Sequence, residues 1–278
     1  MASSSDTIVF VGSGAVSGAW SPVIQALQRK RFPDVATVGG ANFAMSRLVY
    51  TGRQIWRWAR GEKHRKLRQE FRETLLDVKR SIASALTEAV AAGSISIRAE
   101  FGSVMREIAL KDTERVAVVT TNWEGTVEAA VDVFKLGLGV RYLHGSARDP
   151  EHMYLPTEIV EEPYRKRRVR DELSDRRREV VDGIGTASRL VLYGLALSPL
   201  DAELGQILAS AMTGGRVSAI HIVDPQYPLV AERVAGLLDE TSATRTAIYG
   251  MPPGDLARQW RFERGRLEAE CSRLGLSA

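Results

Sequence analysis

Cysteine is nearly absent: Cys271 is the only one in 278 residues. One thiol excludes an internal disulfide and any cysteine-clustered zinc site, and it fits a reducing cytosol, so a cytoplasmic location is expected. Long apolar runs are missing too. No stretch approaches the roughly eighteen apolar residues that read as a membrane span, so no membrane partner is expected. The polar opening Met1-Ala-Ser-Ser-Ser-Asp6 lacks the apolar core of a secretory signal, which predicts none. Internal repeats, low-complexity tracts and clear linkers are also lacking. Residues 1–278 therefore read as a single domain.

The formal charge is only +4, with 44% hydrophobic and 26% charged residues, an ordinary soluble globular composition. The basic excess lies in two stretches, Arg53 to Arg72 and Arg165 to Arg178. Acidic residues are mixed into both, which favours solvated helix faces over a nucleic-acid surface.

Among what is present, the stretch Val116-Ala-Val-Val-Thr-Thr-Asn-Trp-Glu124 is central. An apolar run bounded by Glu114 and Arg115 predicts a short strand buried on both faces. It stops on Thr120, Thr121 and Asn122. A helical pattern follows, with Val127, Ala130, Val131 and Phe134 on one face. Ligands of open parallel sheets bind beyond the carboxyl ends of the strands, which puts Asn122 at the floor of a cleft.

Upstream, Thr7-Ile-Val-Phe-Val-Gly12 predicts a strand running into Gly12-Ser-Gly-Ala-Val-Ser-Gly18. A helix should follow, with Ser21 at its N-cap, Pro22 at its first position, and Val23, Ile24, Leu27 and Phe32 on its apolar face. Strand, glycine-rich turn and helix start fit either a phosphate cradle or a tight turn without a ligand. The third glycine comes one residue later than in the G-x-G-x-x-G fingerprint. No second strand ending in an acid follows, Asp34 being the candidate, so a standard dehydrogenase is disfavoured.

Residues from Asn42 to Lys111 read as almost wholly helical, an insertion at about 40–112. Leu67, Phe71, Leu75, Val78, Ile82 and Leu86 supply the apolar face of its long basic helix, and Ser94 to Arg98 a short strand. Trp56 and Trp58 cannot share a helix face, so one belongs to the core and the other is free to cap the cleft. Gly139 to Ser146 is a strand with His144 at its polar tip, and Asp149 to Asp182 is a charged helical insertion ending at about 186. Arg189 to Gly194 is a buried strand leading into a helix with Ser198 at N-cap and Asp201 at N3. Val217 to Val223 and Arg245 to Gly250 complete the strands, with His221 read as a satisfied core histidine. Asp255 to Leu274 reads as a terminal helix carrying Cys271. Strands alternating with helices predict an α/β fold with a doubly wound, parallel, Rossmann-like sheet.

The strand ends GSGAVSG, TTNWE, LHGS, GLALS and IVDP, in that order, resemble the SIR2 (sirtuin-like) superfamily, in particular its bacterial NAD-consuming members. The resemblance covers most of the sheet and neither insertion. It implies that Gly12, Ser13, Gly14 and Ser17 contact the NAD pyrophosphate, and that Asn122, with Thr121 beside it, faces the nicotinamide ribose. It implies that His144 is the catalytic base, and that Gly194 and Ser198 close on the phosphates and the adenosine ribose. Asp224, with Val223, falls where the family binds the adenine end. Glu124 stands where the family has an aspartate, and the four-cysteine zinc ribbon of the classical deacylases cannot form. Hydrolysis of NAD therefore gains over protein deacylation, and in the family it commonly serves antiphage defence. ADP-ribosyl transfer, zinc-free deacylation and NAD or ADP-ribose sensing without turnover are the alternatives. A free-running NAD hydrolase would poison its own cell, so restraint by a homo-oligomer, a separate regulatory or sensor chain, or a lid is expected.

Overall fold

Short runs of valine, isoleucine and leucine build the sheet of this computed structural model, which describes residues 6–30, 32–110 and 115–262. The strands are β1 (Thr7–Val11), β2 (Val16–Ser17), β3 (Ser96–Ile97), β4 (Val116–Thr120), β5 (Val140–Tyr142), β6 (Arg189–Tyr193), β7 (Ala219–Val223), β8 (Ala247–Met251) and β9 (Trp260–Arg261). The helices are α1 (Trp20–Lys30), α2 (Val38–Trp58), α3 (Arg65–Ala91), α4 (Phe101–Val104), α5 (Thr126–Val133), α6 (Arg167–Thr186), α7 (Ala202–Met212), α8 (Tyr227–Ala235) and α9 (Glu240–Arg245).

Seven strands form one sheet in the order β5-β4-β1-β6-β7-β8-β9, parallel except where β9 meets β8. β1 is buried along its whole length between β4 and β6. Its side chains alternate between two cores, Val9 and Val11 toward α1, α2 and α3, Ile8 and Phe10 toward α6, α7 and α8. The chain winds outward from β1 through β4 to β5, returns to β6 on the other side, and winds outward again. This is the doubly wound, Rossmann-like arrangement expected, with its topological switch between β1 and β6.

The helical insertion before β4 is also present. Thr37 starts α2 by accepting a hydrogen bond from the Gly40 amide at 3.0 Å. On α3, Phe71, Leu75, Val78, Ile82 and Leu86 are buried as expected, whereas Leu67 is 43% exposed because the first turn of α3 overhangs the core. Ser96–Ile97 pairs antiparallel with Val16–Ser17, a second, two-stranded sheet.

Several expectations are corrected. Helix α1 begins at Trp20, so Ser21 and Pro22 lie inside its first turn and Ser21 is not the N-cap. A 3-10 turn, Pro199–Asp201, precedes α7, which places Asp201 rather than Ser198 at the α7 N-cap; the Ser198 hydroxyl accepts from the Leu200 amide at 3.3 Å. The second insertion is helical only from Arg167. Before it, Glu158 accepts from the Leu155 amide and Glu162 from the Ile159 amide, local bonds that compete with a helix and are flanked by Pro156 and Pro163. His221 is half-buried, stacked on Tyr249 with ring centroids 5.1 Å apart, rather than a core histidine. Within Asp255 to Leu274, Trp260–Arg261 is an edge strand, and Cys271 lies outside the described residues. No described helix is long and apolar enough to cross a membrane.

Candidate functional site

The carboxyl ends of β1, β4 and β6 open on one cleft of about 280 Å³, joined by the chain that follows β5. Ser13, Thr121, Asn122, Glu124, His144, Gly194 and Ser198 all line it. Gly12, Gly14, Ser17 and Asp224 do not.

The glycine loop holds the cleft together from behind. The Gly12 amide donates to the Tyr193 carbonyl and the Gly14 amide to the Gly194 carbonyl, both at 2.9 Å. A Cβ on Gly14 would lie 2.8 Å from the Gly194 Cα, and Gly194 itself has a φ of +63°. These glycines therefore permit two loops to pack backbone to backbone. The Ser17 hydroxyl is 2.9 Å from that of Ser96 in the small sheet, and the Asp224 carboxylate accepts from the Gln226 amide at 2.7 Å.

At the end of β4 the chain is fixed by a short relay. The Thr120 hydroxyl donates to the Val11 carbonyl at 3.0 Å and accepts from the Asn122 amide at 3.1 Å, while the Asn122 side chain donates to the Gly12 carbonyl at 3.3 Å. Two residues on, Glu124 is 4% exposed and its Oε1 has no hydrogen-bond partner among the described residues. Burial pushes this carboxyl up to about 7, against hydrogen bonds from its own backbone amide and from Asn122. A carboxyl poised at that value can exchange a proton near neutral pH.

His144 follows β5, anchored by the Leu143 amide donating to the Thr120 carbonyl and the Tyr154 amide donating to the His144 carbonyl, each at 2.9 Å. The protein around the ring desolvates it and Arg165 adds positive charge nearby, which together push the imidazole down to about 4. His144 is thus neutral at pH 7 and a weak proton acceptor.

Residues that sequence reasoning did not place here form the rest of the wall. Trp20, Trp123 and Tyr154 are aromatic lining, and Glu158, Asp201 and Glu203 add carboxyls. Trp123 had a local signal, lying between Asn122 and Glu124; Tyr154 and Glu158 had none, because the residues they meet across the cleft are far from them in the chain. Glu158 sits in a buried ion cluster. Its Oε2 is 2.8 Å from Lys79 Nζ and 3.1 Å from the Arg165 guanidinium, and Tyr164 donates to its Oε1 at 3.1 Å. Burial works to raise the Glu158 carboxyl, but Arg165 and Lys79 hold it below the usual carboxylate range. Burial raises Asp201 and Glu203. No lysine or arginine is among the described residues lining the cleft.

The two tryptophans of α2 separate as expected, with a different outcome for the exposed one. Trp56 packs edge-on against Phe71 and Tyr164, while Trp58 is 72% exposed and does not line the cleft. Both basic stretches are mainly exposed helix surface, but Arg53 turns inward to Glu162 and Arg165 to Glu158. Among the described residues no group of three or more histidine, cysteine, aspartate or glutamate side chains is arranged to hold a metal ion. Compared with known proteins, the chain matches no family model, no curated protein and no solved structure.

Proposed function

We propose that this chain is an NAD glycohydrolase, cleaving the bond between nicotinamide and ribose to give nicotinamide and ADP-ribose, with depletion of NAD in antiphage defence as its role. The observation that carries the reading is that Ser13, Thr121, Asn122, Glu124, His144, Gly194 and Ser198, drawn from four strand ends, line one cleft. That cleft lies where doubly wound sheets bind their ligands.

The chemistry follows from the groups present. Positive charge develops on the ribose as neutral nicotinamide departs, and a buried Glu124 carboxylate beside it favours that charge. Water adds to the anomeric carbon, and its proton passes to Glu124, whose value near 7 suits the task better than His144 at about 4. His144, neutral, is left to orient a ribose hydroxyl or the water. The test is incubation of the purified chain with NAD, following nicotinamide and ADP-ribose by chromatography beside the Asn122→Ala, Glu124→Gln and His144→Ala variants. Loss of turnover by roughly a hundred-fold or more in Asn122→Ala and Glu124→Gln supports the site; wild-type turnover in both refutes it. Label transferred to protein would instead indicate ADP-ribosyl transfer.

A second reading, binding of NAD or ADP-ribose without turnover, is favoured by one feature: burial and Arg165 push the His144 imidazole down to about 4, which leaves it a weak base. A rise in melting temperature with NAD that remains intact would establish it.

A further inference from the structure

Helix α2 turns an aromatic stripe to solvent. Ala41, Ala44, Met45, Leu48, Val49 and Gly52 are buried on one side, while Phe43, Tyr50 and Trp58 on the opposite side are 70%, 60% and 72% exposed. Steps of three and four residues place Phe43, Arg47, Tyr50, Gln54 and Trp58 along one line of the helix, about 22 Å long. Single exposed apolar residues need no explanation, but three large rings in one line do. The line starts beside the cleft, since Val38 and Asn42 in the first turns of α2 belong to its lining.

The order of residues in the stripe says what covers it. About a point between Tyr50 and Thr51 the stripe pairs with itself: Phe43 corresponds to Trp58 and Arg47 to Gln54, while Tyr50 lies next to the axis, opposite Thr51. Two copies of α2 running antiparallel through that point set ring against ring at both ends and Arg47 against a neutral amide. A two-fold interface requires this self-complementarity. Parallel pairing would instead set Arg47 against Arg47, with no acidic residue anywhere on α2 to relieve it. Arg53, the helix's inward arginine, is already held by Glu162. Three rings from each copy, at about 150 Å² apiece, bring the buried area near the 1,000 Å² that a specific contact needs once the flanking residues are counted.

We propose that α2 is the seat of a two-fold homodimer in which the α2 helices of two copies pack antiparallel about Tyr50, the partner's Trp58 lying on Phe43 at the rim of the cleft. Each Trp58 then caps the cleft of the other copy rather than its own. The contact is independent of which reaction the cleft performs.

Light scattering on the purified chain tests this directly. The expected mass is twice the 30.6 kDa of one chain. Tyr50→Lys puts two like charges at the centre and should weaken association at least tenfold. The side chain is exposed, so the melting curve of the separated monomer should show an intact fold. In a Cys271→Ser background, Tyr50→Cys should oxidise to a covalent dimer. Phe43→Cys should not, because the two copies of that position stand about 22 Å apart, whereas Phe43→Cys with Trp58→Cys should. A chain that stays monomeric at about 100 μM overturns the proposal, as does a dimer indifferent to Tyr50→Lys or ready oxidation of Phe43→Cys alone. A monomer that sediments with phosphatidylserine vesicles, and ceases to do so as Trp58→Ser, overturns it in favour of a membrane surface.

Discussion

The rings of His144 and Tyr154 stand 5.6 Å apart, and the Arg165 guanidinium lies 4.2 Å from the centre of the Tyr154 ring. A proton placed on His144 would therefore face a fixed cation across one aromatic ring. Burial and this cation hold the imidazole down at about 4, against an ordinary 6.5. Above pH 6.5 both folded and unfolded chains keep it neutral. Between 6.5 and 4 only the unfolded chain takes up the proton, so stability falls as pH falls through that window. His144→Asn should flatten this fall by about 1–2 kcal/mol, allowing for partial solvent screening. Urea unfolding at pH 7.5 and 4.5 measures it, and an unchanged slope would show that the ring is not desolvated in solution.

Glu124 has the opposite sign. Its carboxyl is raised from 4.5 to about 7, so the folded chain binds the extra proton between those values. Stability from this group is fully present below pH 4.5 and is lost as pH rises through 7. Glu124→Gln keeps the shape and removes the charge. It should stabilise the fold by about 2 kcal/mol at pH 8 and change little at pH 4.5. Equal effects at both values would mean that the carboxylate is already satisfied.

The backbone contact between the Gly14 and Gly194 loops predicts a sharp contrast among glycines. A Cβ at Gly194 would collide with the Ala15 amide nitrogen, and the residue's φ of +63° adds strain. Gly194→Ala should cost about 3 kcal/mol or more and open the cleft. Gly185 on α6 has nothing within 4 Å of such a Cβ and lies in a helix, so Gly185→Ala should stabilise by about 0.5–1 kcal/mol. Denaturant midpoints of the two variants decide it, and similar values would remove the packing role assigned to the loop.

What the sequence made legible was local. Runs such as Ile8 to Val11 and Leu190 to Tyr193 are apolar throughout because both faces of the central strands are covered, and their polar ends mark the cleft without reference to any partner. Helix α3 was legible from its three-and-four spacing for the same reason. The chain from Met153 to Tyr164 was not. Glu158 and Glu162, read as part of a charged helical insertion, are buried because Lys79 and Arg53 reach them across 79 and 109 residues of chain. A pairing with so distant an element carries no local mark. Tyr154 and Glu158 entered the cleft wall unforeseen on that account, and which of Trp56 and Trp58 belongs to the core was left open because nothing in the chain tells which way each ring will face.

That distant pairing makes the last prediction. Among the described residues Glu158 is the one carboxylate within ion-pair distance of both Lys79 and Arg165, and all three side chains are at most 4% exposed. Removing the carboxylate leaves two buried cations, whereas removing Lys79 leaves Arg165 to balance Glu158. Glu158→Gln should thus cost about 3–5 kcal/mol and Lys79→Met appreciably less. The Lys79→Met/Glu158→Gln double variant should recover part of the loss, because only one cation then lacks its partner. A double-mutant cycle by chemical denaturation measures the coupling. Additive single effects would mean that water already screens the pair.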